Sequence, residues 1–165
     1  MGRARRRLQW VDTQSNVAAQ AVGNATSIDL LGAYAALPGT VTGGATIMRI
    51  HAYLWITSAV VVGDGISWSF IVAPNIEAYA SLAIASARAL NPTQQPEADW
   101  LMYRKYNAHP QYDFQGGTSA NLSMDIRSKR KLHELNDTLL MIVENVDASA
   151  AISYSYHVRT LLALP

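Results

Sequence analysis

The 165 residues contain no cysteine, which excludes disulfides and thiolate metal sites and leaves the redox compartment open. Charged side chains make up only 15% of the chain, below the quarter or so usual for soluble domains. A surface this poor in charge is tolerable where neighbouring molecules cover part of it, which favours an oligomer or a lattice. Long hydrophobic runs are also missing. The longest, near Ala59 to Val62 and Leu82 to Ala87, fall far short of the ~18 apolar residues of a membrane-spanning helix. Leu8, Gln9, Trp10, Val11 and Asp12 break up any secretory leader after the first arginines. The expectation is a soluble protein with no membrane partner and no cleaved signal.

Catalytic signatures are missing as well. His51, His109, His133 and His157 are far apart and show no metal-ligand spacing. Gly63-Asp64-Gly65 precedes a predicted strand and reads as a hairpin turn, because a dinucleotide loop lies between a strand and a helix. No Gly-x-Ser-x-Gly nucleophile elbow occurs. Glu97 and Asp99 flank Ala98 and read as a solvated loop, with a calcium site the lesser alternative. The reading is of a non-enzymatic protein with no catalytic residue, cofactor or metal.

What is present is alternation with period two in segments rich in Val, Ile, Thr and aromatics, the pattern of half-buried strands. In Thr46 to Thr57 one face is Met48, Ile50, Ala52, Leu54 and Ile56, and the other is Arg49, His51, Tyr53 and Trp55. Ile66, Trp68, Phe70 and Val72 alternate with Ser67 and Ser69. Further strands are expected within Asn16 to Leu30, from Trp100 to about Asn107, through Leu122, Met124 and Ile126, from Thr138 to Val146, and through Ile152, Tyr154, Tyr156 and Val158. Alanine-rich Ile76 to Leu90, with Asn75 as N-cap, predicts one short helix mid-chain. At this length one core suffices, burying roughly two thirds of the unfolded surface. The expected fold is all-β: an antiparallel jelly-roll β-sandwich of about eight strands, with an immunoglobulin-type Greek key as runner-up. Residues 1–10 read as a basic N-terminal arm and 11–165 as the sandwich domain.

Two basic segments stand out as candidate partner-binding sites. The first is the arm, with Arg3, Arg5, Arg6 and Arg7, followed by Trp10 as an anchor. It carries +4, while the remainder, with nine Lys+Arg against 12 Asp+Glu, is about −3. Arginine forks bind phosphates and carboxylates bidentately, so nucleic acid and an acidic protein surface are both candidate partners. The second is Arg127, Lys129 and Lys131, which in an extended strand project from one face while Ile126, Ser128 and Arg130 take the other. Such a row could track phosphates, meet carboxylates, or simply discourage edge pairing.

The Arg-rich start, about eight antiparallel strands, a mid-chain helix and the segments Asp125 to Leu132 and Arg159 to Pro165 resemble the single jelly-roll structural proteins of viruses, phage-associated ones included. The resemblance implies a virion location and self-assembly (trimer, pentamer or lattice) or attachment to other capsid proteins as a minor or decorating component. It carries over no catalytic residue. Four arginines per subunit would neutralise only about 240 phosphates in a shell of about 60 copies, little beside a genome of several thousand nucleotides, so the arm suits a protein partner better than packaging. A glycan- or single-stranded-nucleic-acid-binding sandwich using Tyr53, Trp55, Tyr103 and Tyr106 is the alternative. A cupin-like enzyme is a third.

Overall fold

The computed structural model describes residues 7–32, 44–58, 65–73, 99–107, 120–132, 137–146 and 151–165. These hold eight strands: β1 (Arg7–Gln20), β2 (Ala25–Asp29), β3 (Thr46–Ile56), β4 (Gly65–Ala73), β5 (Asp99–Asn107), β6 (Ala120–Lys131), β7 (Thr138–Asn145) and β8 (Ile152–Leu164). They form two four-stranded antiparallel sheets, ordered β1-β8-β3-β6 and β2-β7-β4-β5. The first strand pairs with the last, β2 with β7, β3 with β6 and β4 with β5. The chain is thus one long antiparallel ribbon rolled up, with β3·β8 and β4·β7 pairing where the roll closes on itself. That is the jelly roll. An immunoglobulin sandwich would divide and order its strands differently, so the runner-up is set aside.

The inner faces of the sheets make the core. Ile50, Ala52, Leu54 and Ile56 of β3, Tyr154, Tyr156 and Val158 of β8 and Leu122, Met124 and Ile126 of β6 face Ile66, Trp68, Phe70 and Val72 of β4 and Leu139, Met141 and Val143 of β7. The alternation read from the sequence produces this packing, with one exception. Ile47 rather than Met48 is buried, because the register of β3 shifts between Ile47 and Arg49 against both neighbours. Against β8 the extra residue is in β3, which resets which of its side chains point inward, whereas against β6 the extra residue is in β6.

Four other expectations need correction. The last part of the expected arm of residues 1–10 belongs to the sandwich: residues 7–10 open β1, paired antiparallel with Leu161–Leu164 of β8. The apolar end of β8 offers a ladder that an arginine-rich segment can join through its backbone alone. Residues 1–6, which carry Arg3, Arg5 and Arg6, lie outside the described residues, as does the expected helix at Ile76 to Leu90. Secondly, Asn16 to Leu30 holds two strand segments, since β1 runs to Gln20 and β2 begins at Ala25. Thirdly, Gly63 and Asp64 of the expected hairpin turn lie outside the described residues, and the strands before and after them, β3 and β4, belong to different sheets and do not pair as a hairpin. Finally, Ser67 and Ser69 are buried, and so are Leu140, Ile142 and Glu144. The β4–β7 centre of its sheet is therefore covered on both faces, as the unbroken apolar run of β7 requires. Ser67 Oγ donates to Glu144 Oε2 at 2.8 Å, which satisfies part of a buried carboxylate.

The corner where β1 passes to β2 is locked by polar groups. The Gln20 amide donates to the carbonyls of Asn24 and Val143, and its oxygen accepts from the Thr26 and Tyr154 hydroxyls. Asn145 Nδ2 donates to the Gln20 carbonyl. At the other end of β2, Asp29 Oδ1 accepts from the Leu31 N–H and the Thr138 hydroxyl, and Thr13 Oγ1 donates to the Leu30 carbonyl. Both ends of β2 are thereby tied across the sandwich to β1.

Candidate functional site

The outer face of the β1-β8-β3-β6 sheet is accessible, and the strand register arranges its side chains in rows. Directly opposed residues on neighbouring strands point to the same side. One row reads Trp10, Leu161, Arg49, Arg127, and the next Asp12, Arg159, His51, Asp125. These are followed by Gln14, His157, Tyr53, Ser123 and then Asn16, Ser155, Trp55, Asn121. Every one of these sixteen residues is exposed or half-buried. The face divides in two: the first two rows carry all its formal charge, and the last two are neutral amides, hydroxyls, rings and an imidazole.

In the charged half, Arg49 grips Asp125 bidentately, Nε to Oδ1 at 2.8 Å and Nη2 to Oδ2 at 2.6 Å. These bonds hold the Asp125 carboxyl below the usual carboxylate range, with smaller contributions from the charges of Arg49, His51 and Arg127, and they raise the Arg49 guanidinium correspondingly. Across the sheet Asp12 Oδ1 takes Arg159 Nε at 3.0 Å and contacts His157 Nε2 at 3.2 Å. The Arg159 guanidinium lies over Trp10, 4.9 Å from the ring centroid, and the His51 ring is 5.6 Å from the same indole. This is a cation–π contact at a surface site.

The residues singled out from the sequence fall as follows. Arg7 is exposed at the start of β1, opposite Leu164. Trp10 is 37% exposed, so it is partly engaged by its own sheet and partly open. Arg127 lies on the same row as Trp10 at the opposite edge of the sheet, roughly 14 Å away by strand spacing. Lys129 and Lys131 follow it along edge strand β6 and are exposed. None of these three β6 cations has an ion-pair partner among the described residues. Ile126 is buried and Ser128 half-buried, as the alternation requires, but Arg130 is exposed. Past the register shift, where the Ser128 hydroxyl accepts from the Arg130 N–H, the positive charge is not confined to one face.

The four candidate stacking aromatics do not form one platform. Tyr53 and Trp55 stack on the outer face of β3, with centroids 6.0 Å apart and planes 13° apart. Tyr103 is on the other sheet, edge-on to Trp100. Tyr106 is only 9% exposed and belongs to the core beside Trp68. His51 lies on the expected polar face of β3, and His157 and Arg159 alternate with the core residues Tyr156 and Val158 of β8. Their pairing with Asp125 and Asp12 is not legible in the sequence, because only the register brings those residues together. Among the described residues no group of three His, Asp or Glu side chains could hold a metal ion.

No protein-family model matches the sequence, and no curated protein does. Solved structures with a similar course of chain include the cyanophage Pam1 capsid (10% identity, TM-score 0.49, covering 100% of this chain and 91% of that one). Tobacco streak virus coat protein is similar at 12% identity and a TM-score of 0.46, covering 96% and 86%. A subunit of the Bacillus endospore appendages, which are disulfide-linked pili, is similar at 11% and 0.39, covering 100% and 97%. The neighbours thus include viral capsid and coat proteins as well as a pilus subunit, and at these values the likeness assigns no function.

Proposed function

We propose that the chain is a non-enzymatic structural protein of a virion that self-associates, and that it attaches to neighbouring copies or other capsid proteins through basic side chains. The observation that carries this reading is the strand pairing itself. First with last and second with seventh is the jelly-roll arrangement implied by the resemblance to single jelly-roll viral structural proteins. The low charge content and the exposed cations of β6 support it.

The attachment residues are Arg3, Arg5, Arg6 and Arg7, with Trp10 behind them, and secondarily Arg127, Lys129 and Lys131. The partner is an acidic protein surface in preference to genomic nucleic acid, because the arginines are few against the phosphates of a genome. Since Arg7 begins β1, the test deletes only residues 1–6. Loss of oligomerisation or of particle association by a chain that still folds is the expected result, and unchanged association removes the attachment role.

A further inference from the structure

The neutral half of the exposed sheet contains a feature the structural role does not use. An open basin of about 360 Å³ is lined by Gln14, Ser15, Asn16, Trp55, Ser155, Tyr156 and His157. We propose that this basin is a binding site for a neutral saccharide, one or two pyranose units in size.

Three observations carry the proposal, none of which depends on the virion reading. The lining holds no lysine, arginine or carboxylate. The nearest arginine along β8, Arg159, is already held by Asp12. A phosphate-bearing strand of nucleic acid would find no counter-charge here, whereas a ligand with neither charge nor long apolar surface loses nothing. The donors and acceptors are of the kind that hydroxyls use. The Gln14 and Asn16 amides and the Ser155 hydroxyl each offer both roles and have no protein partner among the described residues. His157 meets Asp12 through Nε2, leaving Nδ1 as the ring nitrogen available to a ligand. Finally, an aromatic wall stands beside them. Trp55 lines the basin and is braced by the stacked Tyr53 ring, giving a flat surface for the C–H face of a pyranose. The volume falls within the size range of small-ligand sites. An interface with a second copy would be expected to be more apolar at its centre than this mostly polar lining.

The test is a titration of the full chain, followed by protein NMR and tryptophan fluorescence. The probes are mannose, galactose, N-acetylglucosamine and N-acetylgalactosamine and their β-linked disaccharides, with oligo-dT and heparin as charged comparators. Saturable binding of at least one neutral sugar is expected, reduced about tenfold or more by Trp55→Ala and several-fold by Asn16→Ala and Gln14→Ala. The amide variants are at exposed positions and keep the test valid should Trp55→Ala not fold. Binding should be unchanged in Lys129→Ala/Lys131→Ala. Three results would overturn the proposal: no neutral sugar binding, sugar binding indifferent to all the basin variants, or binding of oligo-dT or heparin alone with loss on removing the β6 lysines. A change of native mass in Asn16→Ala without any sugar binding would also overturn it, by assigning the face to a second copy.

Discussion

The Tyr154 hydroxyl of β8 donates to the Gln20 amide oxygen at 2.9 Å, and both side chains are buried at the corner where the chain leaves one sheet for the other. The same amide oxygen takes the Thr26 hydroxyl of β2, and the amide nitrogen reaches the carbonyl of Val143 in β7. One glutamine therefore joins a strand of each sheet to the closing strand of the roll. Buried polar groups have to be satisfied, and here a single side chain satisfies several at once.

Tyr154→Phe removes one member of this network and should cost about 1 kcal/mol of unfolding free energy. Gln20→Leu leaves two hydroxyls and two carbonyls without that partner and should cost roughly 2–4 kcal/mol. Urea unfolding followed by tryptophan fluorescence measures both, and an equal cost for the two would mean that the network does not centre on Gln20.

Burial pushes the Tyr154 hydroxyl well above the ordinary tyrosine range, and Tyr156 and Tyr103 are raised for the same reason. The folded state thus holds these protons more tightly than the unfolded chain, so the unfolded state loses them first as pH rises. Their contribution is fully present below the unfolded value of about 10 and declines above it. Stability should fall between about pH 10 and pH 12, less steeply in Tyr154→Phe. Identical pH profiles for the two proteins would show that Tyr154 is not the group responsible.

Asp125 should titrate below an ordinary aspartate, and Arg49→Met should move it back upward, because the bidentate bond is the first cause of its depression. The sign for stability is the reverse of the tyrosine case: whatever the pair contributes is present above the unfolded aspartate value and is lost as pH falls through the folded one. Carboxyl chemical shifts followed by NMR decide the point, and an unmoved Asp125 would place the cause elsewhere in the charged rows. Both side chains are solvent-exposed, so the effect on stability should be slight.

Neutralising the free cations of β6 with Lys129→Ala/Lys131→Ala should leave thermal stability within about 0.5 kcal/mol, since neither is ion-paired among the described residues. In the proposed attachment role, association with the partner should become weaker and less sensitive to salt. Unchanged salt dependence would leave the lysines as guards of an open sheet edge.

Much of the sandwich is readable in the sequence because alternation is a local property. Ile152, Tyr154, Tyr156 and Val158 take the core, and Ser155, His157 and Arg159 the outer face, as period two demands. The start of β1 is unreadable for the opposite reason. Arg7 to Trp10 show no strand pattern, and they pair with residues more than 150 positions away whose backbone the local sequence cannot reveal. Ser67 and Ser69 look like a solvent face until β7 places buried Glu144 beside Ser67 and Ile142 beside Ser69. The candidate sites divide along the same line. The β6 cations are visible as a run, whereas the row Asp12, Arg159, His51 and Asp125 needs four strands in register before it exists, and the basin beside Trp55 needs three.

The most direct test of a self-associating structural protein is the native mass of the full chain, measured by light scattering with and without nuclease. A discrete oligomer or a particle whose mass is an integral multiple of the chain's and survives nuclease is the predicted result. A stable monomer at physiological salt, or an aggregate that nuclease dissolves, would contradict it.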